Sequence, residues 1–188
     1  MTHLHMRQCA IALLLFSMMS TSCRQPAPES DAAHSIRTPF DSTLLSGNSA
    51  MEQVRRFLKI GPRDSCTPGA EKAAGYLVAE LQRLGAKVEV DEFEDDTPAG
   101  RKIFRNVIGR IGAAGERMVI IGSHYDTKSG IGGKFQGAND SGSSTGLLLE
   151  LASVLKNITM PDVEVLIVFF DGEECSVSYG ANDGFHGS

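Results

Sequence analysis

Between residues 48 and 170 the hydrophobic positions switch repeatedly between helical and extended spacing. Met51, Val54, Phe57 and Leu58 recur as on one helix face, with Asn48 or Ser49 as the cap and Gly61 as the stop. Gly61 to Thr67 is a loop by composition. Thr67 then caps a second helix with Pro68 at its first position; Ala70, Ala74, Leu77, Leu81 and Leu84 form its apolar stripe, and Gly85 ends it. Lys87 to Phe93 alternates and reads as a strand, and Thr97 to Gly100 as a turn. Ile103 to Ile111 and Met118 to Gly122 are two further strands, followed by a glycine-rich loop from Ser129 to Gly137. Ser141 to Lys156 is a helix whose inner face is Leu147, Leu148, Leu151, Ala152 and Leu155. Val163 to Phe170 is nearly all apolar, as suits a central strand. Strands alternating with helices predict an α/β fold: a mixed sheet flanked by helices on both faces.

The first 47 residues read differently. Arg7 precedes an apolar run from Cys9 to Met19, then Ser20, Thr21, Ser22 and Cys23. A short apolar run behind a positive charge and ahead of small residues is an export signal, not a membrane span. Cys23 resembles a bacterial lipoprotein attachment site, although Ser20 stands where an aliphatic residue is usual; simple secretion is the alternative. Residues 24–47 begin polar and Pro-rich and read as a tether. The expected organisation is a signal at 1–23, a tether at 24–47 and one enzyme domain at 48–188. The expected location is exported, periplasmic or extracellular, with the membrane met only through a lipid on Cys23.

A net charge of -5 without any basic stripe argues against a nucleic-acid partner. Oligomeric state is not legible. Outside the signal and the lipid position two cysteines remain, Cys66 and Cys175. Export would permit them to pair, pinning the 61–67 loop beside the sheet edge, and two separate thiols are the equal alternative.

Candidate chemistry gathers where strands end and helices begin. His124 follows the apolar run Met118 to Gly122, so it should emerge at the end of a buried strand, where open sheets bind ligands. Asp126 is placed to orient that imidazole through its far nitrogen. Asp140 opens a helix, and Glu173 and Glu174 follow the strand ending at Phe170. Singly, each has a plain reading: a polar loop histidine, a helix cap, two solvated glutamates. Together they supply a metal-binding carboxylate and a neighbouring base, the pair that amide chemistry needs.

The segments His124 to Lys128, Gly137 to Asp140 and Phe169 to Glu174 resemble those of the M28 zinc peptidase family, and most closely its glutaminyl-peptide cyclotransferase branch. Gly61 to Arg63, Pro68-Gly69, Phe104 to Asn106 and Asp183 to Ser188 support the resemblance, which covers about residues 50 to 188. It implies Asp140 and Glu174 as zinc ligands, Glu173 as general acid/base, and Asp126 as the holder of His124. His124 itself would bind a second zinc in an aminopeptidase, or stand near the site in a one-zinc cyclase. Zn2+ is thus the implied cofactor, one ion if cyclase-like and two if aminopeptidase-like, with peptide or protein N-termini as substrate. The alternatives are N-terminal hydrolysis or an inactive extracellular binding domain. In the family a later histidine completes the zinc shell; this sequence reaches Ser188 without one, and His186 matches a non-ligand position. The expectation is therefore a C-terminally truncated domain with exposed apolar surface, weak in folding or activity by itself.

Overall fold

A computed structural model describes residues 41–160 and 162–188. The expected export signal, Cys23 and all but the end of the expected tether lie outside the described residues. After a short 3-10 turn at Ser42–Leu44, the elements are α1 (Gly47–Leu58), α2 (Pro68–Arg83), β1 (Lys87–Thr97), β2 (Gly100–Gly112), β3 (Arg117–His124), α3 (Gly142–Leu155) and β4 (Val163–Phe170). No described helix is long and apolar enough to cross a membrane.

The sheet is mixed, in the order β1-β2-β4-β3. β1 and β2 form an antiparallel hairpin closed by Thr97 opposite Gly100. β2 pairs antiparallel with β4, and β3 runs parallel to β4, bringing His124 opposite Phe170. The ends of β3 and β4 therefore lie side by side, and the residues just beyond each strand share one edge of the sheet.

One core unites the helices with the sheet. Leu77 and Leu81 of α2, Leu149 of α3, Phe57 of α1, Val107 of β2 and Ile167 and Phe169 of β4 are all fully buried in it. Each such side chain contributes roughly 1.5–3 kcal/mol of burial. The α1 and α3 helices pack closely at Gly146, where a Cβ would lie 2.4 Å from Val54 Cγ2 and 2.9 Å from the Ala50 carbonyl.

Thr67 caps α2 and Pro68 opens it, as the sequence predicts. The cap of α1 is Ser46, two residues before the expected Asn48: its hydroxyl accepts the Ser49 N–H at 3.2 Å, while its own N–H goes to Glu150 of α3 at 3.3 Å. On α3 the expected inner residue Leu147 is 53% exposed, whereas Leu149 is fully buried. α1 and the sheet both press on α3, so its buried arc is wide and turned toward Thr145, Gly146 and Leu149.

The apolar run of β3 is not the buried one expected. β3 is an edge strand, and Met118, Val119 and Ile120 are 55%, 45% and 61% exposed. The exposed apolar surface expected of this chain is found there.

Candidate active site

At the sheet edge His124 is the hub. Its Nδ1 lies 3.3 Å from Asp126 Oδ1, and its Nε2 lies 2.8 Å from Asp140 Oδ1. Glu173 Oε2 is 3.9 Å from the same Nδ1. The parallel pairing of β3 with β4 produces this convergence: His124 ends one strand, and the Asp171–Gly172 turn leads from the other into Glu173.

Gly172 makes that turn with φ +72°, and a Cβ there would lie 2.6 Å from the Phe104 ring. A side chain at this position is thus opposed both by backbone preference and by packing.

Asp126 is fully buried and binds more than the imidazole. Its Oδ1 accepts the Glu173 N–H at 3.3 Å, and its Oδ2 accepts the Glu174 N–H at 3.1 Å and the Ser65 hydroxyl at 2.9 Å. One carboxylate therefore fixes both the ring of His124 and the backbone that carries the paired glutamates.

These placements set the acid–base properties. Burial alone would lower the proton affinity of His124; the hydrogen bond and charge of Asp126, with Glu173 and Asp140, outweigh it and push its pKa up to about 9. Burial raises the pKa of Glu173, which His124 opposes and the charges of Glu174, Asp126 and Asp140 reinforce. Asp171, behind the turn, is pushed up to about 6 by burial and by the charge of Asp126.

The two glutamates face different partners. Glu173 lies toward His124, while Glu174 Oε2 accepts the Tyr179 hydroxyl at 3.2 Å. Beside Glu174 opens a cleft of about 120 Å³ lined in part by Ser65, Cys66, Lys102, Phe104 and His186. His186 stacks on Phe104 and bonds Asp95 at 2.7 Å. Asp140 sits before the N-cap Ser141, is 65% exposed on its side chain, and does not cap α3.

Cys66 and Cys175 are separate thiols. Cys175 is buried with its sulfur 2.8 Å from Lys128 Nζ, which also donates to the Cys175 carbonyl. Cys66 is exposed and lines the cleft. The thiol that would reach across is held by the lysine, so the disulfide option is replaced by a Lys128–Cys175 contact.

The structure thus gathers His124, Asp126, Asp140 and Glu173 and places Glu174 next to them on the backbone. Among the described residues no three His, Cys, Asp or Glu side chains lie close enough to hold a metal ion. Sequence reasoning gave no role to Tyr179 or to a buried Arg63. A hydroxyl five residues past a glutamate carries no periodic signal, and Arg63 stands in a loop that composition marks as exposed.

Residues 106–188 match the model of Peptidase family M28. A glutaminyl-peptide cyclotransferase of Dictyostelium discoideum is 30% identical over 172 residues, covering 78% of this chain and 48% of that protein. The crystal structure of an Acidobacteriales bacterium glutaminyl cyclase superposes with a TM-score of 0.69 at 31% identity, covering 76% of this chain and 50% of that one. A Zn-dependent exopeptidase of Parabacteroides distasonis gives a TM-score of 0.66 at 27% identity, covering 76% of this chain and 54% of that one. The chain spans about half the length of these proteins. The chain thus carries a match to peptidase family M28 over residues 106–188 and is similar, in sequence and in fold, to glutaminyl cyclases.

Proposed function

We propose that this chain carries the acid–base and carboxylate part of a zinc-dependent site that cyclises the N-terminal glutamine of a peptide or protein to pyroglutamate, releasing ammonia. The observation that supports this most is Glu173: a partly buried carboxylate of raised proton affinity, 3.9 Å from His124, in a chain similar to glutaminyl cyclases.

Carboxylate oxygens and imidazole nitrogen are donors that zinc takes, so the residues present fit the metal in kind. Asp140 and Glu174 would hold it, with His124 near it; the described residues supply a partial shell. When bound, zinc would polarise the substrate amide carbonyl. Glu173 accepts a proton from the substrate's α-amine nitrogen as that nitrogen bonds to the side-chain amide carbon. It returns the proton to the amide nitrogen as the old carbon–nitrogen bond breaks and ammonia leaves. A carboxylate of raised pKa suits both transfers. The attacking amine belongs to the residue attacked, so proximity supplies much of the rate.

A second reading, hydrolysis of N-terminal residues with two zinc ions, is favoured by one contact: His124 Nε2 meets Asp140 Oδ1 at 2.8 Å, which suits two donors around shared metal. The reading of the N-terminus goes with either: an export signal at 1–23, a lipid on Cys23 and a tether at 24–47 would hold residues 48–188 outside the cytoplasm.

The test is a pair of assays on the zinc-loaded chain, cyclisation of Gln-peptides and hydrolysis of aminoacyl amides. Ammonia release from Gln-peptides that falls about 10²–10⁴-fold in Glu173→Gln is the expected result. Amide hydrolysis without cyclisation would select the peptidase reading. Undiminished turnover by Glu173→Gln would remove that residue from the role.

A further inference from the structure

Arg63 is fully buried, and among the described residues it is the only lysine or arginine that is. Its guanidinium faces the Phe57 ring at 4.4 Å, and its side-chain hydrogen bonds all go to backbone carbonyls. Nε donates to Tyr125 at 2.8 Å, Nη1 to Gln136 at 2.8 Å and Gly61 at 3.2 Å, and Nη2 to Gly137 at 3.4 Å. The main chain adds two ties: the Arg63 N–H goes to the Thr127 hydroxyl at 2.8 Å, and the Thr127 N–H goes to the Arg63 carbonyl at 3.3 Å.

Apart from Gly61 in its own loop, the carbonyls that Arg63 bonds belong to two segments. Tyr125 stands between His124 and Asp126, while Gln136 and Gly137 lead into Asp140. The Gly137 carbonyl also receives the Gly142 N–H at 2.9 Å, joining this segment to the first turn of α3. The two segments meet in space where His124 Nε2 lies 2.8 Å from Asp140 Oδ1, and next to it the Ser141 hydroxyl donates to the Asp126 carbonyl at 3.3 Å. Arg63 bonds the backbone of both segments, at Tyr125 on one and at Gln136 and Gly137 on the other.

We propose that Arg63 is a positioning residue for the site: its planar fork fixes the distance between the His124 and Asp140 segments. A guanidinium offers five N–H donors in fixed directions and spans several carbonyls at once. An ammonium is a compact charge with three donors and cannot bridge the same set. The inference rests on reading the His124–Asp140 pair as part of the site.

The experiment uses the full chain with Arg63→Lys and Arg63→Ala. Three properties are read: cooperative unfolding, the ¹⁵N imidazole signals of His124 in metal-free protein, and the affinity for Co²⁺. Arg63→Lys is expected to unfold cooperatively, shift the His124 signals and bind Co²⁺ about 10–100-fold more weakly, the usual loss when a group supporting a metal ligand is removed. In Arg63→Ala, millimolar guanidinium is expected to restore the His124 signals and methylammonium is not. Wild-type His124 signals in Arg63→Lys, with only a lower unfolding midpoint, would make Arg63 an ordinary core residue and overturn the proposal; so would failure of both variants to fold. A wild-type chain that binds no Co²⁺ would count against the zinc reading, while the His124 signals would still decide the role of Arg63.

Discussion

The Asp126 carboxylate accepts the Glu174 amide at 3.1 Å from a fully buried position, linking the second residue after β3's histidine to the glutamate pair after β4. Both oxygens are used as acceptors, Oδ1 by His124 and Glu173 and Oδ2 by Ser65 and Glu174. Asp126→Asn replaces one acceptor by a donor facing N–H or O–H groups, whichever way the amide turns. A loss of about 3 kcal/mol in urea-unfolding free energy is expected, with displaced His124 resonances. An unchanged stability would mean that the carboxylate does not bind the two backbones together.

Asp171 carries a pH signature of the opposite sense to most carboxylates. Burial and the charge of Asp126 raise its pKa from 3.8 to about 6, and Oδ1 has no hydrogen-bond partner. A raised folded-state pKa means the native protein binds the proton more tightly than the unfolded chain. The associated stability is present below pH 3.8 and is lost as pH rises through about 6, amounting to at most about 3 kcal/mol. Asp171→Asn keeps an oxygen for the Arg105 N–H, held at 3.1 Å, and carries no charge. Its stability relative to wild type should rise between pH 4 and pH 8 by about that amount; a flat difference would refute the assignment.

Gly172 is the hinge on which both glutamates depend. With φ +72° and the Phe104 ring in the way, Gly172→Ala should cost about 1–3 kcal/mol and shift the Glu173 backbone. Thermal unfolding measures the cost. A stabilised variant would show that the turn relaxes into another conformation without strain.

How much of this was legible beforehand depends on what each residue answers to. Thr67-Pro68 and Gly85 act within one turn of chain, so the ends of α2 were read correctly. His124 and Glu173 lie where apolar runs stop, which periodicity marks well. Leu147 and Met118 to Ile120 were misread because periodicity gives the direction of a face, not what lies against it. α3 is pressed by α1 as well as by the sheet, and β3 has a neighbour on one side only. The Arg63 bonds and the Tyr179–Glu174 contact depend on loop paths, which no local pattern encodes.

The α3 correction can be measured directly. Leu149→Ala empties a fully buried position and should cost about 2–5 kcal/mol. Leu147→Ala, at a half-exposed position, should stay within about 0.5 kcal/mol of wild type. Equal costs would place the buried arc of α3 where the sequence alone put it.

The two cysteines should behave as unlike thiols. Burial, reinforced by the charge of Asp171, raises the Cys66 pKa to about 11, although the residue is exposed at the cleft. The thiolate is the reactive form, so iodoacetamide labelling of Cys66 should be slow near neutrality and rise about tenfold per pH unit up to that value. Cys175 is buried against Lys128 and should resist the reagent until the chain unfolds. Lys128→Met removes the amine that donates to both its sulfur and its carbonyl, and should bring forward the labelling of Cys175 but not of Cys66. Peptide mass spectrometry separates these sites from Cys9 and Cys23. A disulfide-linked peptide joining Cys66 to Cys175 in unreduced protein, or early Cys175 labelling in the wild type, would overturn the lysine contact as the holder of that thiol.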